Sequence, residues 1–125
     1  MTRWTEGELQ TLAHATELTI TSRRPDGSLR PEITIWHVRC GDAIYVRSAH
    51  GVTNGWFRRA LASGSGRIRA SGVEKNVTFT PAEPSTREPV TAAYHAKYDR
   101  FGPAPVGAVT GTDVLDTTLR VEPQD

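Results

Sequence analysis

Nine arginines fall between Arg23 and Arg69 against three acids, Asp26, Glu32 and Asp42, in a chain whose formal net charge is only +1. A guanidinium is a planar fork of donors that matches phosphate and carboxylate oxygens. This segment is therefore first of all a candidate anion-binding surface. Its sharpest arrangement is Arg47, Ser48, Gly51, Asn54 and Arg58. A loop running into a helix that starts at Thr53 or Asn54 offers free backbone N–H groups and the positive end of a helix dipole. Arginines just before and inside that helix add charge-assisted hydrogen bonds. The alternative for the same residues is a capped helix with a solvated basic face. Arg67 and Arg69 share one strand face; they either extend the anion site or pair with carboxylates, the commoner fate of such residues.

Other groups could do chemistry with a planar or protic ligand. Trp36 and Trp56 are candidate stacking surfaces, with burial in the core as the alternative; Phe57 reads as core. His50, in a glycine-containing loop, is the histidine best placed for acid–base work near neutral pH. Tyr94 and Tyr98, one helical turn apart, would bury their rings and leave their hydroxyls as candidate proton donors, although the core reading suits them better. No metal site is expected: His14, His37, His50, His95 and the lone Cys40 have no ligand-type spacing. There is no Gly-x-Ser-x-Gly elbow and no G-x-G-x-x-G fingerprint, so neither a serine hydrolase nor a Rossmann site is indicated.

Short strands and a few helices must position these groups. Thr5-Glu6-Gly7-Glu8 has the form of a capping box, predicting a helix to about His14. Glu17 to Ser22 alternates like a strand, and Pro25-Asp26-Gly27 is a turn. Ile33 to Cys40 reads as one strand with apolar groups on both faces, as in a barrel wall that also meets a second subunit. Gly41-Asp42 makes a hairpin into Ala43 to Ser48. The next helix should carry Trp56, Phe57, Ala60 and Leu61 inward and end at Ser63-Gly64. Arg67 to Ala70 and Val73 to Pro81 are strands. Ser85-x-x-Glu88 is a second capping-box pattern, opening a helix through Phe101. Gly102 to Asp116 reads as loop, and Thr117 to Glu122 as a final strand.

Length and composition bound the rest. With 125 residues, 37% hydrophobic and 23% charged, the chain is expected to be one domain, residues 1–125, with a real core. No run is long enough to span a bilayer and no secretory leader is visible. One cysteine, so no internal disulfide, points to the cytoplasm. The near-neutral net charge gives no reason to expect nucleic acid.

The run Arg24, Gly27, Arg30, Ile33-Thr34-Ile35-Trp36, Gly41-Asp42, Tyr45-Val46-Arg47-Ser48, Gly51, Gly55-Trp56-Phe57-Arg58-Arg59-Ala60-Leu61 and Arg67-Ile68-Arg69-Ala70 resembles the split β-barrel of the pyridoxamine-phosphate-oxidase-like flavoproteins. It is closest to the deazaflavin-dependent nitroreductase branch, and the whole chain resembles an uncharacterised domain-of-unknown-function family in that neighbourhood. The chain departs from the branch at Arg23-Arg24-Pro25-Asp26-Gly27 and at Ser63-Gly64. The resemblance implies an α+β, mainly β fold: a split barrel of about six strands with short flanking helices, forming a homodimer. It implies a flavin-type cofactor, deazaflavin or FMN, in the subunit groove. Arg47, Ser48, Gly51 and Trp56 fall on the phosphate-loop pattern, and Thr34 and Trp36 on the strand beneath the ring. Asn54 and Arg58 join this set from the helix start. The implied function is a small oxidoreductase. The alternatives on the same barrel are a non-redox small-molecule-binding protein, or a cofactor-free cyclase or isomerase.

Overall fold

The computed structural model describes residues 3–49 and 51–124. Thr5 opens the first helix, α1 (Glu6–His14), as the capping box expected: its Oγ1 accepts from the Glu8 N–H at 3.1 Å, and the Glu8 carboxylate accepts from the Thr5 N–H at 2.9 Å. Leu9 and Leu12 are the buried residues of its inward face.

Seven strands follow in one antiparallel sheet: β1 (Leu18–Ser22), β2 (Ile33–Ile35), β3 (His37–Cys40), β4 (Ala43–Val46), β5 (Ser65–Ala70), β6 (Val73–Pro81) and β7 (Leu119–Pro123). Their order across the sheet is β2-β1-β5-β6-β7-β4-β3. The two edge strands, β2 and β3, are consecutive in the chain and separated only by Trp36. A single residue cannot cross a flat seven-stranded sheet, so the sheet curls until its edges nearly meet. The fold is a split β-barrel with short flanking helices.

This corrects the expectation of one strand over Ile33 to Cys40, and with it the count of about six. β2 pairs with β1, Ile20 opposite Ile33, while β3 pairs with β4, Val38 opposite Tyr45. The apolar groups on both sides of that stretch are shared between two cores. Ile33 and Ile35 pack on the barrel interior, built from Leu18, Ile20, Ile44, Val46, Phe57, Ile68, Val77, Phe79 and others. Val38 and Trp36 join a second cluster with Tyr45, Val90, Tyr94, Tyr98 and Val109 outside the barrel. β4 lies between the two clusters, which is why all four of its residues are buried.

The helix α2 (Gly55–Ser63) buries Trp56, Phe57 and Ala60; Leu61, expected inward, is 46% exposed. Gly64 closes it in the left-handed conformation at φ 71°. The second capping box does not form. A 3-10 turn at Pro84–Thr86 precedes α3 (Arg87–Tyr98), and no side chain caps that helix. The expected loop after Gly102 is instead α4 (Pro103–Thr110) and a 3-10 segment, Thr112–Thr117. Pro103 sits at the helix start, where a missing N–H costs nothing, and Val106 and Val109 anchor the helix on the outer core.

One buried polar cluster joins β3 to α3. His37 is fully buried, with Nε2 2.6 Å from the Leu12 carbonyl, which can only accept, so Nε2 carries the proton. Its Nδ1 is buried with no partner. Lys97 donates to the His37 carbonyl at 2.9 Å. Burial, with the nearby Lys97 charge, pushes the imidazole down from 6.5 to about 4; burial also lowers the Lys97 amine to about 8. Above pH 6.5 both folded and unfolded chains hold a neutral His37. As pH falls from 6.5 toward 4 only the unfolded chain binds the proton, so stability is lost over that window, by up to about 3 kcal/mol. Urea melts from pH 7 to 4 should show this loss, and His37→Gln, which keeps a donor for Leu12, should flatten it. An equally steep profile in that variant would assign the pH dependence elsewhere.

Candidate functional site

β2, the Trp36 corner, the start of α2 and one side of α4 line a half-open cavity of about 550 Å³. Thr34, Trp36, Arg47, Asn54 and Trp56 all line it, with Ile33, Ile35, Ala49, Pro105, Ala108, Val109 and Glu17. Five of the residues singled out in the sequence thus come together, although they lie on four different elements. Its walls are mostly apolar, and its charged residues are Glu17 and Arg47. Trp36 stacks on Tyr98 with ring centroids 4.1 Å apart and planes 8° off parallel. Trp56, 7% exposed, meets Phe57 edge-on.

Arg47 reaches this cavity as an internal strut. It is 2% exposed. Its Nε donates to Thr118 Oγ1 at 2.9 Å, Nη1 to Thr91 Oγ1 at 2.8 Å and the Val109 carbonyl at 2.9 Å, and Nη2 to the Arg87 carbonyl at 2.8 Å. Four of its five N–H groups are occupied within the protein. Ser48 and Gly51 also close on themselves: Ser48 is fully buried, its Oγ donates to the Gly51 carbonyl, and its backbone N–H donates to Thr117 Oγ1. Asn54 stands at the N-cap of α2 without a side-chain capping bond. His50 lies outside the described residues.

Tyr94 and Tyr98 are fully buried. The Tyr98 hydroxyl accepts from the His37 N–H at 3.0 Å and has the Thr16 and His37 carbonyls, at 2.7 and 2.8 Å, as acceptors for its single proton; that of Tyr94 points at the Trp36 carbonyl, 3.4 Å away. Burial raises both phenols well above the ordinary tyrosine range. Neither lines the cavity.

Arg58 lies elsewhere, in a cleft of about 760 Å³ lined by Arg23, Arg24, Pro25, Gly27, Arg30, Gly55, Arg58, Arg59, Ala62, Ser63 and Ser65. Between cleft and cavity lies a hollow of only about 10 Å³, lined in part by Arg30 and Arg59 of the one and by Ile33 and Trp56 of the other. The arginines of this cleft were visible as a local charge excess; their gathering from the β1–β2 turn and α2 was not. Pro105, Ala108 and Val109 were missed because their segment read as loop. Arg67 and Arg69 are paired, with Glu74 and Glu32. Among the described residues no His, Cys, Asp and Glu cluster could hold a metal ion, and no helix is long and apolar enough to cross a membrane.

Barrel, corner cavity and adjoining cleft together define a split β-barrel protein. Residues 8–121 match the family described as "Uncharacterized protein conserved in bacteria (DUF2255)", and the chain belongs to that family. No curated protein matches it. Among solved structures, the conserved hypothetical protein Rv2991 from Mycobacterium tuberculosis is similar at TM-score 0.65 and 13% identity, over 97% of this chain and 80% of that one. HutZ, the heme storage protein from Vibrio cholerae, is similar at TM-score 0.64 and 13% identity, over 96% and 90%. A protein described as an F420 reductase is similar at TM-score 0.56 and 15% identity, over 98% and 97%.

Proposed function

We propose that the protein is a small oxidoreductase that holds a flavin-type cofactor, a deazaflavin or FMN, with its planar ring in the cavity beside Trp36 and Trp56. The observation that carries this reading is the meeting of Thr34, Trp36, Arg47, Asn54 and Trp56 around one cavity of about 550 Å³, a size usual for small-ligand sites. The lining suits such a ring: apolar walls from Ile33, Ile35 and Val109, with Thr34 and Asn54 as the polar groups that fix orientation. The F420 reductase among the fold neighbours adds support.

When bound, such a cofactor supplies hydride transfer, and the protein's part is binding, orientation and exclusion of water. Trp56 and Trp36 would cover ring area. Arg47, held in its own network, would place positive charge at the cavity wall. The chain is read as a homodimer in which a second copy completes the groove, with no nucleic-acid or membrane partner.

Purified protein titrated with FMN, FAD and F420, followed by quenching of tryptophan fluorescence, tests the reading. Saturable quenching by at least one of them is expected, weakened at least ten-fold in Trp36→Leu. No saturable response to any of the three would end it. Light scattering reports the dimer in the same samples, and a monomeric mass would refute that part.

A further inference from the structure

Glu17 is exposed and lines the corner cavity, so its carboxylate stands at the mouth. It precedes β1, whose first residue, Leu18, pairs with Ile35; one step further along the same ladder sets Glu17 beside Trp36. The chain on either side is held. Leu18 is buried in the barrel core, and the Thr16 carbonyl lies 2.7 Å from the Tyr98 hydroxyl. Glu17 is therefore positioned by its neighbours rather than by bonds of its own carboxylate.

Glu6, Glu8, Glu32, Glu74, Asp116 and Glu122 each have a Lys or Arg within 4 Å; the Glu17 carboxylate has no ion pair or hydrogen bond among the described residues. Two cations lie around Tyr98, and both are turned elsewhere. Lys97 donates to the His37 carbonyl at 2.9 Å, and the Arg100 guanidinium sits 4.8 Å from the centre of the Phe101 ring. Glu17 is near enough to act on Tyr98: burial, with the Glu17 charge adding to it, raises that phenol. Trp36 stacks one face on Tyr98, which leaves its other face for a ligand. The face of an aromatic ring carries negative charge density, so a bare carboxylate beside it gains nothing. A cation between the two is attracted by both, and most strongly where the ring is an indole. Arg47, the other charged residue of the lining, already has four of its five N–H groups occupied.

We propose that the substrate of this cavity is an organic ammonium ion on an apolar body, its charged nitrogen held between the Glu17 carboxylate and the free indole face of Trp36, a reading that rests on the proposed function in taking the cavity as the ligand site. A charge-assisted hydrogen bond to the carboxylate fixes the nitrogen. Neutral or anionic molecules of the same shape cannot make that bond, so Glu17 sets the specificity. The apolar walls at Ile33, Ile35 and Val109 accept the rest of the substrate without regard to its charge.

The test uses three probes of nearly one shape on the full, isotope-labelled chain: phenethylammonium, phenethyl alcohol and hydrocinnamate. Each is titrated while the indole N–H signals of Trp4, Trp36 and Trp56 are followed by NMR. Phenethylammonium should move the Trp36 signal saturably and bind at least about ten-fold tighter than the alcohol or the carboxylate. Glu17→Gln, a change of charge without change of shape at an exposed position, should bring the cation down to the affinity of the alcohol with an unchanged melt. Glu83→Gln, the same charge change away from the cavity lining, should leave the preference intact. Equal affinities for the three probes, a preference for the carboxylate, no saturable shift with any of them, or a cation preference that survives in Glu17→Gln would each overturn the proposal. So would an equal loss in Glu83→Gln, which would make the preference an effect of net charge. If the parent protein binds a flavin-type compound but shows no cation preference, the cavity reading stands and this one falls. If it prefers the cation and binds no flavin-type compound, the cofactor reading falls and the ammonium site stands.

Discussion

Arg47→Ala is expected to destabilise the protein by roughly 3 kcal/mol or more, since each buried group left without its partner costs ~1–3 kcal/mol. The side chain ties four places together: the chain just after β4, α3 through Thr91 and the Arg87 carbonyl, α4 through the Val109 carbonyl, and Thr118 before β7. Removing it leaves two carbonyls and two hydroxyls around a void. Desolvation of an arginine with no carboxylate partner works the other way, and returns part of that loss. Arg47→Met separates the two: it fills space without charge. If Met melts with Arg, the hydrogen bonds and the desolvation cancel; if it falls with Ala, the network dominates, which is the expected result. Arg120→Ala is the control, a surface partner of Glu122 worth at most about 1 kcal/mol.

Trp56→Ala is expected to cost ~3–5 kcal/mol, the usual range for emptying a buried aromatic site. Trp56 is 7% exposed, belongs to the barrel core, and also lines both the cavity and the hollow toward the arginine cleft. It serves the barrel core and the candidate site together. Trp56→Phe should keep most of the stability and still lose ring affinity; Arg59→Ala, on the exposed face of the same helix, should stay within about 0.5 kcal/mol. Urea melts give the stabilities, and titration of Trp56→Phe gives the affinity. A Trp56→Ala variant that melts like the parent would show the ring to be a ligand platform and not a core residue.

What the sequence determined by itself is what short-range chemistry determines. Thr5 and Glu8 cap α1 because both partners lie within one turn. The alternation of Val73 to Pro81 and the Gly41-Asp42 turn give a strand and a hairpin because side-chain period and backbone freedom are local properties. The arginine excess and the candidate residues Thr34, Trp36, Arg47, Asn54 and Trp56 were legible as types in a pattern. Only the tertiary structure decided what those types meet. Closure of the sheet splits Ile33 to Cys40 at Trp36 and sends its halves to opposite edges, which no local period can register. The partners of Arg47 lie 40 to 71 residues further along the chain, so its change from expected ligand group to buried strut depends on α3, α4 and β7 packing around β4. Charge is written in the sequence, but whether it is paired, buried or left facing a cleft is set by what folding brings within hydrogen-bond reach. That is why Arg67 and Arg69 end as ion pairs while Arg23, Arg24, Arg30, Arg58 and Arg59 share an acid-free cleft.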